Sequence, residues 1–330
     1  MKRHLLILLS FFAIGYQSIA QEGVPVYFDY LADNYYLVYP SMAGIGEGGK
    51  IRATIRKQWF SVDEAPNMQT LNAHFRVGER SGYGATVFND ANGYHSQTGF
   101  KLTYAHHLRL GGDFRSLNQL SFGLSAGIQQ SNLDESEFVS VIPDPIITGS
   151  RNSVGYFNMD LGMSYNFMEF YAHAAVHNLM GRGRDLYSAI ESNNLRKYLI
   201  SSGSVFGKSE WQVEPSVLFQ FTEFTQEKAI DINAKVYKSV DFGTVWGGLS
   251  YRRSFDGAQY QTASDFGEQR LQLFTPIVGV NYKNFLVSYN YSYQMGDVRF
   301  DNGGFHQITL GYDFGQTEKR YDCKCPAVNY

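Results

Sequence analysis

The 330-residue sequence is poor in cysteine, proline and charge: it has two Cys, eight Pro and 18% charged residues. Both cysteines, Cys323 and Cys325, lie in the last eight positions and enclose a single residue, so no disulfide framework holds the fold. With no further Cys or His beside them, the pair also lacks the four ligands that structural zinc takes. Beyond the first twenty residues there is no apolar run of about 18, which excludes a helical membrane protein. A formal net charge of −3 excludes the basic balance of a nucleic-acid binder. What is plentiful is Gly (33), Tyr (24) and Phe (25), and so many aromatics with so little Pro exclude a disordered chain. An all-β protein remains, soluble or outer-membrane.

The amino terminus points to export. Lys2 and Arg3 precede an apolar stretch over 5–15, and Ser18-Ile19-Ala20 puts small residues before Gln21. This predicts a secretory signal peptide over 1–20, too short to span a bilayer. Its removal with two basic residues and no acid takes the net charge from −3 to −5.

After it, the chain alternates with period two. Phe157, Met159, Leu161, Met163, Tyr165 and Phe167 interleave with Asn158, Asp160, Gly162, Ser164 and Asn166. Side chains on successive strand residues point to opposite faces, so this pattern is a strand with one apolar and one polar face. Leu120 to Gln129, Phe285 to Gln294 (Leu286 excepted) and Gln307 to Phe314 repeat it. Fourteen such strands are predicted, at 50–59, 67–78, 82–89, 97–109, 118–130, 154–166, 168–178, 194–206, 209–222, 226–237, 241–253, 268–281, 283–295 and 303–314. Pro276 inside the twelfth removes a ladder donor and predicts a bulge or a shifted boundary there.

Loop length then follows strand parity. Connections after even-numbered strands are tight, as at 78–82, 166–169, 207–208, 238–241 and 282–283. Most of those after odd-numbered strands are long, as at 132–153, 179–193 and 254–267. Short turns at one end and long loops at the other are the arrangement of a transmembrane β-barrel, short end to the periplasm. The polar face carries Arg52, Arg56, Arg76, Lys101, Glu214 and Asp231, which a dry sandwich core would not tolerate and a lumen would. Tyr156, Phe157, Tyr165, Phe167 and Tyr289 to Tyr293 are read as interfacial girdle residues. The fold class is therefore an all-β transmembrane antiparallel barrel of about 14 strands over 50–314, in the outer membrane, with membrane lipid as its surroundings.

Chemistry is sparse. No GxSxG, HExxH or P-loop is present. His173 and His177 share a strand face about 13 Å apart, and His106 and His107 face opposite ways. The acidic stretches 90–93 and 134–137 read as solvated loops. No catalytic residue, cofactor site or metal site is expected. Residues 21–49 hold Tyr27, Phe28, Tyr30, Tyr35, Tyr36 and Tyr39 outside any strand, and aromatics so placed need burial. They predict a periplasmic or plug segment that narrows the lumen. The tail 315–330 is predicted in the periplasm, with Cys323 and Cys325 as candidate docking residues. In the longest loop Phe138, Val139, Val141, Ile142, Ile146 and Ile147 form an apolar group, a candidate protein-binding surface or a cap over the barrel's own mouth. Two functions compete: a barrel that binds a protein partner, and a channel for a small solute.

A series of landmarks in fixed order resembles the PorP/SprF family of type IX secretion system membrane proteins of Bacteroidetes. They begin with Tyr27-Phe28-Asp29-Tyr30 and Tyr39-Pro40-Ser41-Met42-Ala43-Gly44, where Tyr39 replaces the family's usual Asn. Arg56-Lys57-Gln58-Trp59, Val87-Phe88-Asn89-Asp90, Tyr104 to Leu108 and Leu120 to Gly127 follow. Asp160-Leu161-Gly162, Val176 to Leu179, Glu214 to Leu218, Gly247 to Arg252, Ser288 to Tyr291 and Ile308 to Phe314 complete the set. The resemblance implies a non-enzymatic outer-membrane barrel of the secretion and gliding apparatus. It implies as partners a secreted cargo or adhesin with a C-terminal sorting domain, received and anchored at the cell surface, and other components of the secretion machine. It assigns no binding residues.

Overall fold

The computed structural model describes residues 31–46, 48–58, 65–111, 115–136, 151–180, 196–208, 210–261, 266–295, 304–315 and 321–323. The predicted signal peptide, the apolar loop group Phe138 to Ile147 and Cys325 lie outside these residues. Among them no helix is long and apolar enough to cross a membrane. Ahead of the strands, the described residues include one helical turn, α1 (Tyr35–Val38), and a 3-10 turn (Pro40–Met42). Fourteen strands follow: β1 (Gly49–Gln58), β2 (Asn67–Val77), β3 (Ser81–Asn92), β4 (His95–Arg109), β5 (Asn118–Asp134), β6 (Arg151–Phe167) and β7 (Phe170–His177). Then come β8 (Lys197–Ser204, continued at Phe206–Lys208), β9 (Trp211–Thr222), β10 (Lys228–Val240), β11 (Gly243–Gln261), β12 (Phe266–Tyr282), β13 (Phe285–Met295) and β14 (Phe305–Phe314).

Each strand pairs antiparallel with the next, and β14 returns to β1 from Gly49 opposite Phe314 to Gln58 opposite Phe305. The sheet is thus a closed barrel with no free edge, the condition for burying strand backbone in lipid. Closure follows from the alternation. Ile55, Leu71, Leu102, Ile128, Ile200 and Val278 point outward and are exposed, as a lipid-facing belt requires. Their sequence neighbours Thr54, Asn72, Thr103, Gln129, Ser201 and Ile277 point inward and are buried.

Two prolines interrupt the ladder without bending it. β8 and its continuation keep one register against β9, with Gly203 opposite Ser216 and Phe206 opposite Val213. The gap falls opposite Glu214 and Pro215, because Pro215 has no N–H to give. On the other side of the strand the Val205 N–H donates to the Glu169 carbonyl, 3.0 Å away, and so extends the β7–β8 pairing by one rung. Pro276 behaves alike: it pairs with Leu249 on one side, and on the other the ladder skips from Phe274–Tyr293 to Ile277–Asn290 in unchanged register. The bulge or boundary shift expected at Pro276 is not there. The irregularity in this region is a register shift between Arg253 and Gly257. Beyond it β11 and β12 continue to Gln261 and Phe266, so the predicted long loop 254–267 is largely an extended hairpin.

Loop length follows parity with two departures. The connection 93–94 is short at the long-loop end, and 110–117 is long at the short-turn end. Tyr156 is also corrected: it faces inward, buried, and donates to Gln129 Oε1 at 2.8 Å, so it is no girdle residue. Its parity is that of Asn158 and Asp160, the polar face.

Candidate functional site

Residues 31–46 lie inside the barrel, and the strands around it hold them in turn. Tyr36 Oη lies 2.8 Å from Thr103 Oγ1 on β4, and Ser41 Oγ 2.6 Å from Ser164 Oγ on β6. Tyr39 Oη donates to Ser201 Oγ on β8 at 2.6 Å. The Gly44 N–H donates to His74 Nδ1 on β2, and the Val38 carbonyl meets His177 Nε2 on β7. Lys50 and Arg52 on β1 both reach Asp33, at 3.1 and 3.4 Å, and Arg52 also pairs with Asp313 on β14. Burial pushes the Tyr35, Tyr36 and Tyr39 phenols above the usual tyrosine range, so at neutral pH they serve as uncharged groups.

The densest junction is Glu214 on β9. Its Oε1 accepts from Tyr35 at 3.0 Å and Tyr171 at 2.5 Å, and its Oε2 accepts from Tyr237. Lys235 on β10 approaches the same Oε2 to 3.2 Å and also lies near the Leu31 carbonyl. The rings of Tyr35, Tyr237 and Trp246 surround the ammonium at 5.2 to 6.0 Å. A buried carboxylate and a buried ammonium neutralise one another here, and the segment supplies one of the three tyrosines that complete the carboxylate's hydrogen bonds.

The wall is shaped to admit the segment. At Gly123 on β5 a Cβ would overlap the backbone of Pro40 and Ser41, and at Gly82 on β3 it would overlap the Ala43 carbonyl. Apolar residues also face inward against the segment: Leu199, Leu218, Leu273 and Ile277 join Leu31, Val38 and Met42 in one buried cluster.

All six charged residues read as lumenal from the sequence point inward and are engaged. Arg252 forks onto Asp231 at 2.6 and 2.7 Å, and Lys101 meets Asp160 at 2.6 Å. Arg76 donates to the Gly44 and Ile45 carbonyls, Arg56 to Gln307, and Arg52 and Glu214 are placed as above. His106 faces out beside Tyr104, whereas His107 faces in and meets the Ala43 carbonyl. Cys323 is buried with Tyr321 in the cluster that contains the segment. There the Asp322 N–H donates to the Arg115 carbonyl, and Arg109 lies 5.6 Å from the Tyr321 ring. Sequence reasoning did not single out Tyr171, Tyr237 or Lys235. The signal available was apolar and aromatic side chains at inward parity.

These features define an outer-membrane β-barrel that carries its own N-terminal segment inside it. Residues 19–312 match the family described as type IX secretion system membrane protein PorP/SprF, and the chain belongs to that family. It is a family of secretion-system membrane proteins, not a known family of enzymes. None of the curated proteins matches the chain in sequence. Among solved structures, the TodX monoaromatic hydrocarbon channel (a deltaS2 mutant) superposes with a TM-score of 0.51 at 10% identity, over 86% of this chain and 94% of that one. CdiB from Acinetobacter baumannii gives 0.45 at 7% identity over 81% of this chain, which spans 60% of CdiB's length. Salmonella typhi OmpF, in complex with daunomycin, gives 0.34 at 12% identity, over 81% and 96%. At such identities the TodX likeness is one of fold.

Proposed function

We propose that this barrel receives a secreted protein bearing a C-terminal sorting domain and holds it at the cell surface, together with other type IX secretion components. The observation that carries the reading is the segment 31–46, held by strands from both halves of the barrel wall and completing the buried Glu214 junction. A barrel stoppered by its own chain is suited to binding at its rim, and this weighs against an open solute channel. The long-loop end is then the working surface. Phe138, Val139, Val141, Ile142, Ile146 and Ile147 offer there the apolar area that protein interfaces use.

The test is a mild-detergent pull-down of the tagged protein from its native outer membrane, followed by mass spectrometry. A stoichiometric secreted protein with a sorting domain is expected, and it should be lost when 137–150 is replaced by a short polar linker. Recovery of the barrel alone, with steady conductance in planar bilayers, would overturn the proposal.

A further inference from the structure

The outer wall carries a groove of about 500 Å³ across strands β4 to β8. That volume falls within the roughly 300–1,000 Å³ of small-molecule sites. Its floor is one rung of the ladder, the backbone of Gly123, Gly162, Ala175 and Leu199, which pair in turn from β5 to β8. The outward rungs on either side form its banks. Ala174 and Val176 on β7 are small and half-buried, while Leu161, Met163 and Ile200 beside them are 45 to 58% exposed, so the surface dips along β7. From inside, Pro40 and Ser41 lie against Gly123 and Gly162. A single layer of backbone therefore separates the segment from the groove.

The surroundings and the chemistry of the groove name its occupant. It opens on the lipid-facing belt, where hydrocarbon and not water covers an apolar surface. Its β4 end is polar. His106 Nδ1 lies 3.2 Å from Tyr104 Oη, and Ser81 Oγ lies 3.5 Å from the same hydroxyl. With the Tyr104 hydroxyl donating to Nδ1, the imidazole proton is on Nε2, which has no other hydrogen-bond partner among the described residues. A donor so placed beside lipid costs free energy unless an acceptor meets it. His106 is three residues from Arg109, the periplasmic end of β4, or about 10 Å along the strand. Ile200 is eight residues from Lys208, the periplasmic end of β8, or about 26 Å. The groove thus climbs from the periplasmic interface into the hydrocarbon. Over four strand spacings it runs about 19 Å obliquely, against about 15 Å of hydrocarbon in one leaflet.

We propose that the groove binds a phospholipid of the periplasmic leaflet. One acyl chain lies across β5 to β8, and a phosphate oxygen at the β4 end accepts from His106 Nε2. The site is on the barrel's wall and stands apart from the receptor reading, which concerns its rim.

Native mass spectrometry of the delipidated full-length barrel, titrated with dioleoyl phosphatidylglycerol, tests this. One lipid is expected to bind saturably, ahead of the statistical ladder of later ones. Ala174→Phe, which fills the dip, should weaken that first event about tenfold or more, and His106→Leu should weaken it less. Ile128→Phe, equally outward but away from the groove, should leave it unchanged. Each variant is first shown to run as a folded barrel on a gel. No saturable first lipid, equal binding by Ala174→Phe, or equal loss in Ile128→Phe would overturn the inference. A dimer that Ala174→Phe dissolves in the absence of lipid would also overturn it, and would assign the groove to a second copy of the chain.

Discussion

Glu214, 2% exposed, holds its charge inside the barrel because Lys235 and three tyrosine hydroxyls surround it. Removing one member of such a set leaves the other charge buried without compensation, at a cost of about 3–5 kcal/mol. Glu214→Ala is therefore expected to lower markedly the temperature at which the barrel loses its compact gel mobility. Adding Lys235→Met should restore much of the loss, since the pair is then replaced by apolar volume. If the double variant melts no higher than the single one, the charge balance is not what the site depends on. Gly123 is a second sharp position. A side chain there must displace the Pro40 backbone, so Gly123→Val is expected to leave the strand paired and expel the turn. Limited proteolysis reads this out: cleavage within 31–46 should appear in the variant and be absent from the unmodified barrel.

At the scale of elements, strands were legible and the segment's contacts were not. The period-two pattern fixes a strand wherever lipid faces one side and polar surroundings the other, so β2 was expected over 67–78 and is found at Asn67–Val77. Prolines were legible as missing donors. Their consequence was not, because a closed barrel with neighbours on both sides absorbs two skipped pairs without a bulge. The aromatics at 27–39 announced a buried segment, but alternation carries no information about which strand meets it. The clue to that contact was the misfit of Leu199, Leu218 and Ile277, apolar at inward positions and unexplained by a water-lined lumen. The segment's own helix is one turn long with no side-chain cap, so the wall and not intrinsic propensity holds its shape. Deleting 31–45 should accordingly leave the fourteen strands folded and convert a silent barrel into a steadily conducting one in planar bilayers. An unchanged silent barrel would mean that something other than this segment closes the lumen.

For the whole molecule, strand parity fixes orientation. With the short turns in the periplasm, Tyr94 and Phe224 face outward from the cell, and Lys283 faces inward. A membrane-impermeant thiol reagent on whole cells should label Tyr94→Cys and leave Lys283→Cys unlabelled, in a background where Cys323 and Cys325 are serine. An even strand count also returns β14 to the end where β1 begins, so Gly49 and Phe314 lie at one mouth. At that same mouth the tail meets Arg109 and Arg115 at the β4–β5 turn, and Tyr321 and Cys323 pack into the cluster that contains the segment. The tail thus shares its buried surface with a segment that strand pairing does not hold. Local opening is cheapest where few buried contacts oppose it, so removing these contacts should act on the segment before it acts on the barrel. Truncation after Gly315 is expected to speed amide hydrogen exchange across 35–45 while leaving exchange in β4 and β5 unchanged. Equal acceleration in segment and strands would make the tail a general support of the barrel, and no acceleration in either would make its packing incidental to the segment's hold.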